Sequence, residues 1–153
     1  CVALQMTSLG MPVIYYGEEV GRLGSVWPTN RKDMPWGDRD VRPGAGVDRN
    51  ESLRDYYKKL IQIRRAHPAL SRGTYQRLYW EGDLLVFKRE DADTGDTVIV
   101  AINRGDSEAA AAVPKPASWE EVASEAIEGQ RVPLAGDKLS VSAPAMSVRI
   151  YTR

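Results

Sequence analysis

The sequence predicts two architectures in series. A strand–loop–helix of the kind found in parallel α/β domains fills residues 1–71, and an antiparallel β-sandwich fills residues 72–153. Three observations predict this order. Val13-Ile14-Tyr15-Tyr16 is a short apolar run without alternation, which marks a strand covered on both faces. Residues 48–66 place apolar side chains three and four apart, the spacing of a helix packed along one side. From Gly73 onward the period drops to two and turn residues separate short runs, the pattern of a sandwich.

Residues 1–9 read as the end of an amphipathic helix, with Val2, Leu4, Met6 and Leu9 apolar and Gly10 as its stop. Because the chain begins inside an element, without an initiator methionine, it reads as a piece of a longer protein. Pro12–Tyr16 is the expected buried strand. Residues 17–50 hold several glycines, three prolines and five arginines, and form a long irregular loop. Trp27 and Trp36 argue that this loop is structured. The helix over 48–66 is capped by Asp48 or Asn50 and carries Glu51 in its first turn, where the dipole favours it. Leu53, Tyr56, Tyr57, Leu60 and Ile61 form its apolar face, while Lys58, Lys59, Arg64 and Arg65 fill the other positions. Pro68 is expected to end it after His67.

The β module opens with strands at 75–80 and 84–90 around a Glu81-Gly82-Asp83 turn. A turn at Asp93-Thr94-Gly95-Asp96 leads to a strand over 97–103. Further strands are expected near 108–113, 121–126, 138–142 and 147–152. The run Asp91–Asp96 lacks the terminal glutamate of a calcium loop and is better read as a hairpin turn.

Bulk properties narrow the function. Twenty-one basic and 21 acidic side chains cancel, which gives no electrostatic case for nucleic acid or an anionic membrane and suits a neutral polyol. Cys1 is the single cysteine, so no disulfide framework or cysteine-rich metal site is available. No apolar run reaches membrane-spanning length. No cofactor or metal is expected, and the compartment is left open.

Two motifs carry a specific resemblance. Gly10-Met-Pro12-Val-Ile-Tyr-Tyr16-Gly17-Glu18-Glu19 resembles the eighth-strand motif of the α-amylase family of glycoside hydrolases. Pro28-Thr-Asn30-Arg31 with Met34-Pro35-Trp36 is similar to the rim loop of its neopullulanase, cyclomaltodextrinase and maltogenic amylase branch. The resemblance implies that residues 1–71 end a (β/α)8 TIM barrel and that residues 72–153 form its C-terminal β-sandwich, domain C. It implies a retaining enzyme acting on α-glucans or malto-oligosaccharides. The catalytic carboxylates would lie upstream of Cys1, so no catalytic residue is assigned and the isolated chain is expected to be inactive. The implied partners are an α-glucan substrate and the preceding part of the barrel. Two alternatives stay open: a non-catalytic carbohydrate-binding or scaffolding sandwich, and part of a family transglycosidase.

Within this reading the substrate-side candidates are Arg31, Asn30 and Trp27. A guanidinium fork suits a pair of sugar hydroxyls. In related amylases the arginine of this Asn-Arg step reaches an outer donor subsite, helped by an aspartate four residues earlier. Trp27 stands at that earlier position, where an indole offers a stacking surface or a hydrophobic plug. The bland alternative for Arg31 is a loop-fixing salt bridge to Asp33 or Asp38. Gly10, Pro12, Tyr16, Gly17 and Glu19 are read as structural motif residues. Glu18 and Glu19 are not a catalytic pair, because neighbours on a strand face opposite ways. Trp36 reads as a packing anchor, Tyr15 and Tyr16 as core or rim packing, and His67 as a cap or hydrogen-bonding group. Trp80 and Trp119 read as core residues rather than a starch-binding surface.

Overall fold

The computed structural model describes residues 1–31, 33–34, 49–134 and 136–153. It divides into two units, Cys1–Met11 with Ile61–Arg153, and Pro12–Leu60.

Among the described residues the first unit is built on eight strands: β1 (Thr74–Glu81), β2 (Leu84–Asp91), β3 (Asp96–Asn103), β4 (Ala109–Pro114), β5 (Val122–Glu125), β6 (Arg131–Pro133), β7 (Lys138–Ala143) and β8 (Ser147–Thr152). Six form one sheet in the order β1-β2-β3-β8-β5-β6, and β4 pairs with β7 in a second. Every pairing is antiparallel. The β1–β2 hairpin closes on Gly82 and Asp83, with Glu81 opposite Leu84. Gly82 takes a φ of +54°, which an L side chain resists in so short a loop. The expected strands are present. The three-residue β6 was not foreseen, since it is too short to show a period.

The sandwich core lies between the two sheets. Leu84, Val86, Ile99, Ala101 and Tyr151 from the large sheet meet Val113, Leu139, Val141 and Ala143 from the small one, with Trp119 among them. Val98 and Val100 point the other way and are equally buried, as are Phe87 and Ile150. β3 is therefore apolar on both faces because it is covered on both. On the second face α3 (Pro68–Arg72) packs against β2 and β3.

A register shift between Arg77 and Tyr79 breaks the alternation of β1. Leu78 and Tyr79 consequently both pack against the core, and Trp80 turns away to 66% exposure. The expectation of a core Trp80 is corrected by this bulge. Trp119, at 1% exposure, is a core residue as expected.

Helix α1 (Val2–Thr7) buries Val2, Ala3, Met6 and Thr7. Leu4 and Leu9, expected on the apolar face, are exposed, because the helix stops at Thr7 and only one side of it is covered. Pro68 does not merely stop the preceding helix. It starts α3, where a missing N–H costs nothing. The carboxylate of Asp96 accepts from the Ala69 N–H and lies 3.0 Å from His67 Nδ1, tying the start of α3 to β3. Asp91 accepts from Arg72 Nε, Arg72 Nη2 and the Thr94 hydroxyl, so the Asp91–Asp96 turn is a closed hairpin. The Arg72 bond, then that of Thr94, holds the Asp91 carboxyl below its ordinary range.

Arg64 corrects the sequence reading most clearly. It was placed among the cations outside the apolar face of α2 (Glu51–Ala66), yet it is buried. Its guanidinium donates to the carbonyls of Met6 (2.7 Å) and Gly10 (2.7 Å), with a longer contact to Ser8. The carbonyls in the last turn of α1 and just beyond it supply the negative potential that a carboxylate would otherwise provide.

In the second unit the expected strand over 12–16 is not formed. Residues 11–15 belong to no regular element, and Val13 is 67% exposed. A buried strand needs a neighbouring ladder to satisfy its backbone, and this run belongs to neither sheet among the described residues. The helix begins at Glu51 rather than 48, because Asn50 caps it: Asn50 Oδ1 accepts from the Leu53 N–H at 2.9 Å. The rival cap, Asp48, lies outside the described residues. Asn50→Ala removes this bond and is expected to cost about 1 kcal/mol, read as a lower urea midpoint at unchanged m-value.

Candidate functional site

The candidate surface lies in the Pro12–Leu60 unit. Its frame is set by three short backbone devices. Gly17, at φ +91°, opens a 3-10 turn over Glu18–Val20, and Gly21 closes it. Glu18 and Glu19 therefore sit on a turn rather than a strand, so the argument that they face opposite sides no longer applies. Glu19 Oε2 accepts from the Gly17 N–H at 2.8 Å, which pins the turn, while Glu18 is exposed. Burial raises the Tyr57 phenol above its ordinary pKa, and the charges of Glu18 and then Glu19 raise it further.

The second device is Gly24. A Cβ there would lie 2.3 Å from the Thr29 carbonyl oxygen, so only glycine lets the chain pass this close. The third is the 3-10 turn Thr29–Arg31, held by Arg31 N–H to the Pro28 carbonyl (2.9 Å) and Asn30 N–H to that of Val26 (3.1 Å).

These turns bring Trp27, Asn30 and Arg31 to one surface. Trp27 is 69% exposed. The Arg31 guanidinium carbon stands 4.7 Å from the centre of its indole, a cation–π contact. Among the described residues no ion pair joins Arg31 to Asp33. Asp38, the other partner considered, lies outside them, as does Trp36. The Asn30 carbonyl accepts from Arg22 Nη2 at 2.9 Å, with the Tyr15 hydroxyl at 3.4 Å. Arg22 also lies 4.4 Å from the centre of the Tyr16 ring, and the Tyr15 and Tyr16 rings are 4.9 Å apart. Both tyrosines are exposed, which removes the core half of their reading as core or rim packing.

Chemically the surface is an exposed indole with a planar cation over its ring. Such an arrangement stacks a flat apolar face and donates paired hydrogen bonds at its edge. Of the motif residues, Gly17 and Glu19 shape the turn, Tyr16 supports Arg22, and Pro12 is half-buried. Gly10 belongs to the other unit, where its φ is +89° and its carbonyl takes the Arg64 bond. Arg22 was missed from sequence. Its signal was available only as an arginine following two adjacent tyrosines, a pattern too common to single out.

Residues 73–151 match the family described as alpha-amylase C-terminal domain. A cyclomaltodextrinase of Thermoanaerobacter pseudethanolicus is 38% identical over 102 residues, covering 67% of this chain and 16% of that protein. A cyclomaltodextrinase of Geobacillus thermopakistaniensis is 30% identical over 149 residues, covering 96% of this chain and 24% of that protein. A solved cyclomaltodextrinase superposes with a TM-score of 0.81 at 25% identity, over 99% of this chain and 25% of that one. The structure of an Anoxybacillus α-amylase gives a TM-score of 0.82 at 23% identity over 98% of this chain and 30% of that one, a likeness of fold alone. The chain spans at most a quarter of the length of these curated relatives.

Proposed function

The chain belongs to the alpha-amylase C-terminal domain family, and from that membership we propose that it serves as the C-terminal part of an α-amylase-type glycoside hydrolase acting on α-glucosidic bonds in starch, maltodextrin or related oligosaccharides. Residues 72–153 are its domain C, and residues 1–71 complete a TIM barrel whose earlier strands carry the catalytic carboxylates. The mechanism is retaining, with a carboxylate nucleophile and a carboxylic acid about 5 Å apart. The observation that carries the reading is the pairing of the matched sandwich with the exposed Trp27–Arg31 surface in one chain. Trp27 stacks on a pyranose face while Arg31 donates to hydroxyls at its rim, and Asn30 fixes the turn that presents them.

A second reading changes only the acceptor. A relative named cyclomaltodextrin glucanotransferase from Klebsiella oxytoca is 37% identical over 112 residues, 67% of this chain and 15% of that protein. Transfer to a sugar hydroxyl in place of water uses the same covalent intermediate.

The test is release of reducing ends from starch and maltodextrin by the 153-residue chain and by the full-length product of its gene. Activity is expected in the full-length product alone. Arg31→Ala in that product is expected to raise KM about five- to tenfold with kcat nearly unchanged, the sign of lost uniform binding. Turnover by the 153 residues alone would contradict the upstream placement of the carboxylates, and inactivity of both would remove the reading.

A further inference from the structure

In the sandwich unit, between β7 and the β5–β8 side of the large sheet, lies a cleft of about 270 Å³. None of the residues discussed above as substrate-side candidates lines it. Its floor is fixed by buried groups. Glu125, 1% exposed, accepts from the N–H groups of Ile127, Glu128 and Ile150 at 2.6 to 3.1 Å. The Tyr151 hydroxyl both donates to the Ser142 carbonyl (3.1 Å) and accepts from the Ser142 N–H (3.2 Å). These partners use up both side chains, so they shape the cleft and do not act as its ligands.

The groups left over are of mixed kind. Arg149 is mostly buried and uses Nη1 on Glu128 and Glu125, leaving its Nε and Nη2 hydrogens without a partner among the described residues. The Ser140 hydroxyl likewise has none. Gln130 gives its amide hydrogen to Glu128 and keeps its carbonyl oxygen. Glu108 receives the Ser142 hydroxyl on one oxygen and keeps the other. Donors from Arg149 and Ser140 thus face acceptors from Glu108 and Gln130 across one space, with Val132 and Pro144 adding apolar wall.

A ligand for this lining must both donate and accept at several points and present some C–H surface. An anion would meet two carboxylates in the lining. A divalent cation would meet the Arg149 charge and a Glu125 carboxylate already occupied by three N–H groups. We propose that this cleft binds one hexose-sized unit of a neutral saccharide, as a site separate from the Trp27–Arg31 surface. Only the choice of an α-linked sugar as first probe rests on the function proposed above.

The experiment is an amide NMR titration of the 153-residue chain with maltose, and in parallel with cellobiose and with calcium chloride. Saturable shifts around Ser140, Ser142 and Tyr151 in the millimolar range of maltose are expected. Ser140→Trp, which fills the cleft from an exposed position, is expected to weaken them roughly tenfold or more. Gln130→Ala, also exposed, is expected to weaken them severalfold. Cleft shifts with cellobiose but not maltose would uphold the site and count against the α-glucan reading. Maltose shifts confined to Trp27 and Arg31 would keep that reading and overturn this inference. So would cleft shifts saturated by calcium alone, no cleft shift with either sugar, or undiminished binding in Ser140→Trp.

Discussion

Arg89→Leu is expected to lower the unfolding free energy by about 3–5 kcal/mol, read as a lower urea midpoint by tryptophan fluorescence. Arg89 is fully buried in β2, and its guanidinium donates to three backbone carbonyls: Thr7 (2.7 Å), Gly73 (2.9 Å) and Thr74 (3.0 Å). Burial, and then the like charge of Arg64, push its pKa below the ordinary arginine value. No carboxylate forms a salt bridge to it among the described residues, so these carbonyl bonds are what offset its desolvation. Leucine removes the buried charge but leaves three carbonyls without their donor, and each orphaned acceptor costs about 1–3 kcal/mol before relaxation. Arg89→Lys is expected to recover the minority of the loss, because one ammonium cannot reach acceptors on both α1 and the segment entering β1. An unchanged midpoint in Arg89→Leu would mean that Val2, Ala3 and Met6 hold α1 in place by packing alone.

This clamp also marks where sequence reading runs out. Local pattern was legible where an element decides its own form, as in the hairpin at Gly82 and the strand over 97–103, while the helix cap was narrowed only to Asp48 or Asn50. Arg64 and Arg89 were illegible because their partners are carbonyls, which carry no side-chain signature; those of Arg64 at Met6 and Gly10 lie 58 and 54 residues away, and those of Arg89 lie 15, 16 and 82 residues away. Trp80 misled for a related reason. The bulge that turns it outward is a property of pairing with β2 rather than of β1 itself. The run over 12–16 has the composition of a buried strand, but composition states a preference and cannot supply the neighbours that a strand needs. At the candidate surface the motif picked out Trp27, Asn30 and Arg31 as substrate-side residues, and Arg31 stands over the Trp27 ring. The role of Arg22 in holding the Asn30 carbonyl depends on two successive turns and exists only in the folded chain.

Trp119→Ala is expected to cost about 3–5 kcal/mol, the range for removing a large aromatic from a packed core. The loop between β4 and β5 does what a strand residue normally does. It drops an indole into the space between the sheets, against the cluster that includes Leu84, Val86, Val141 and Tyr151. Lys115 Nζ donates to the Trp119 and Glu120 carbonyls, which holds that loop in place from outside the core. Trp119→Phe keeps much of the apolar volume and should retain most of the stability, measured in the same urea titration. Tyr151 shares the Trp119 cluster and also closes the floor of the saccharide cleft through Ser142, so the core and the cleft are mechanically continuous. Trp119→Ala should therefore weaken sugar binding only along with stability, whereas Ser140→Trp should weaken binding about tenfold or more at an unchanged urea midpoint. If both variants lost binding and stability in parallel, the cleft would be a by-product of sandwich packing rather than a site that the sandwich supports.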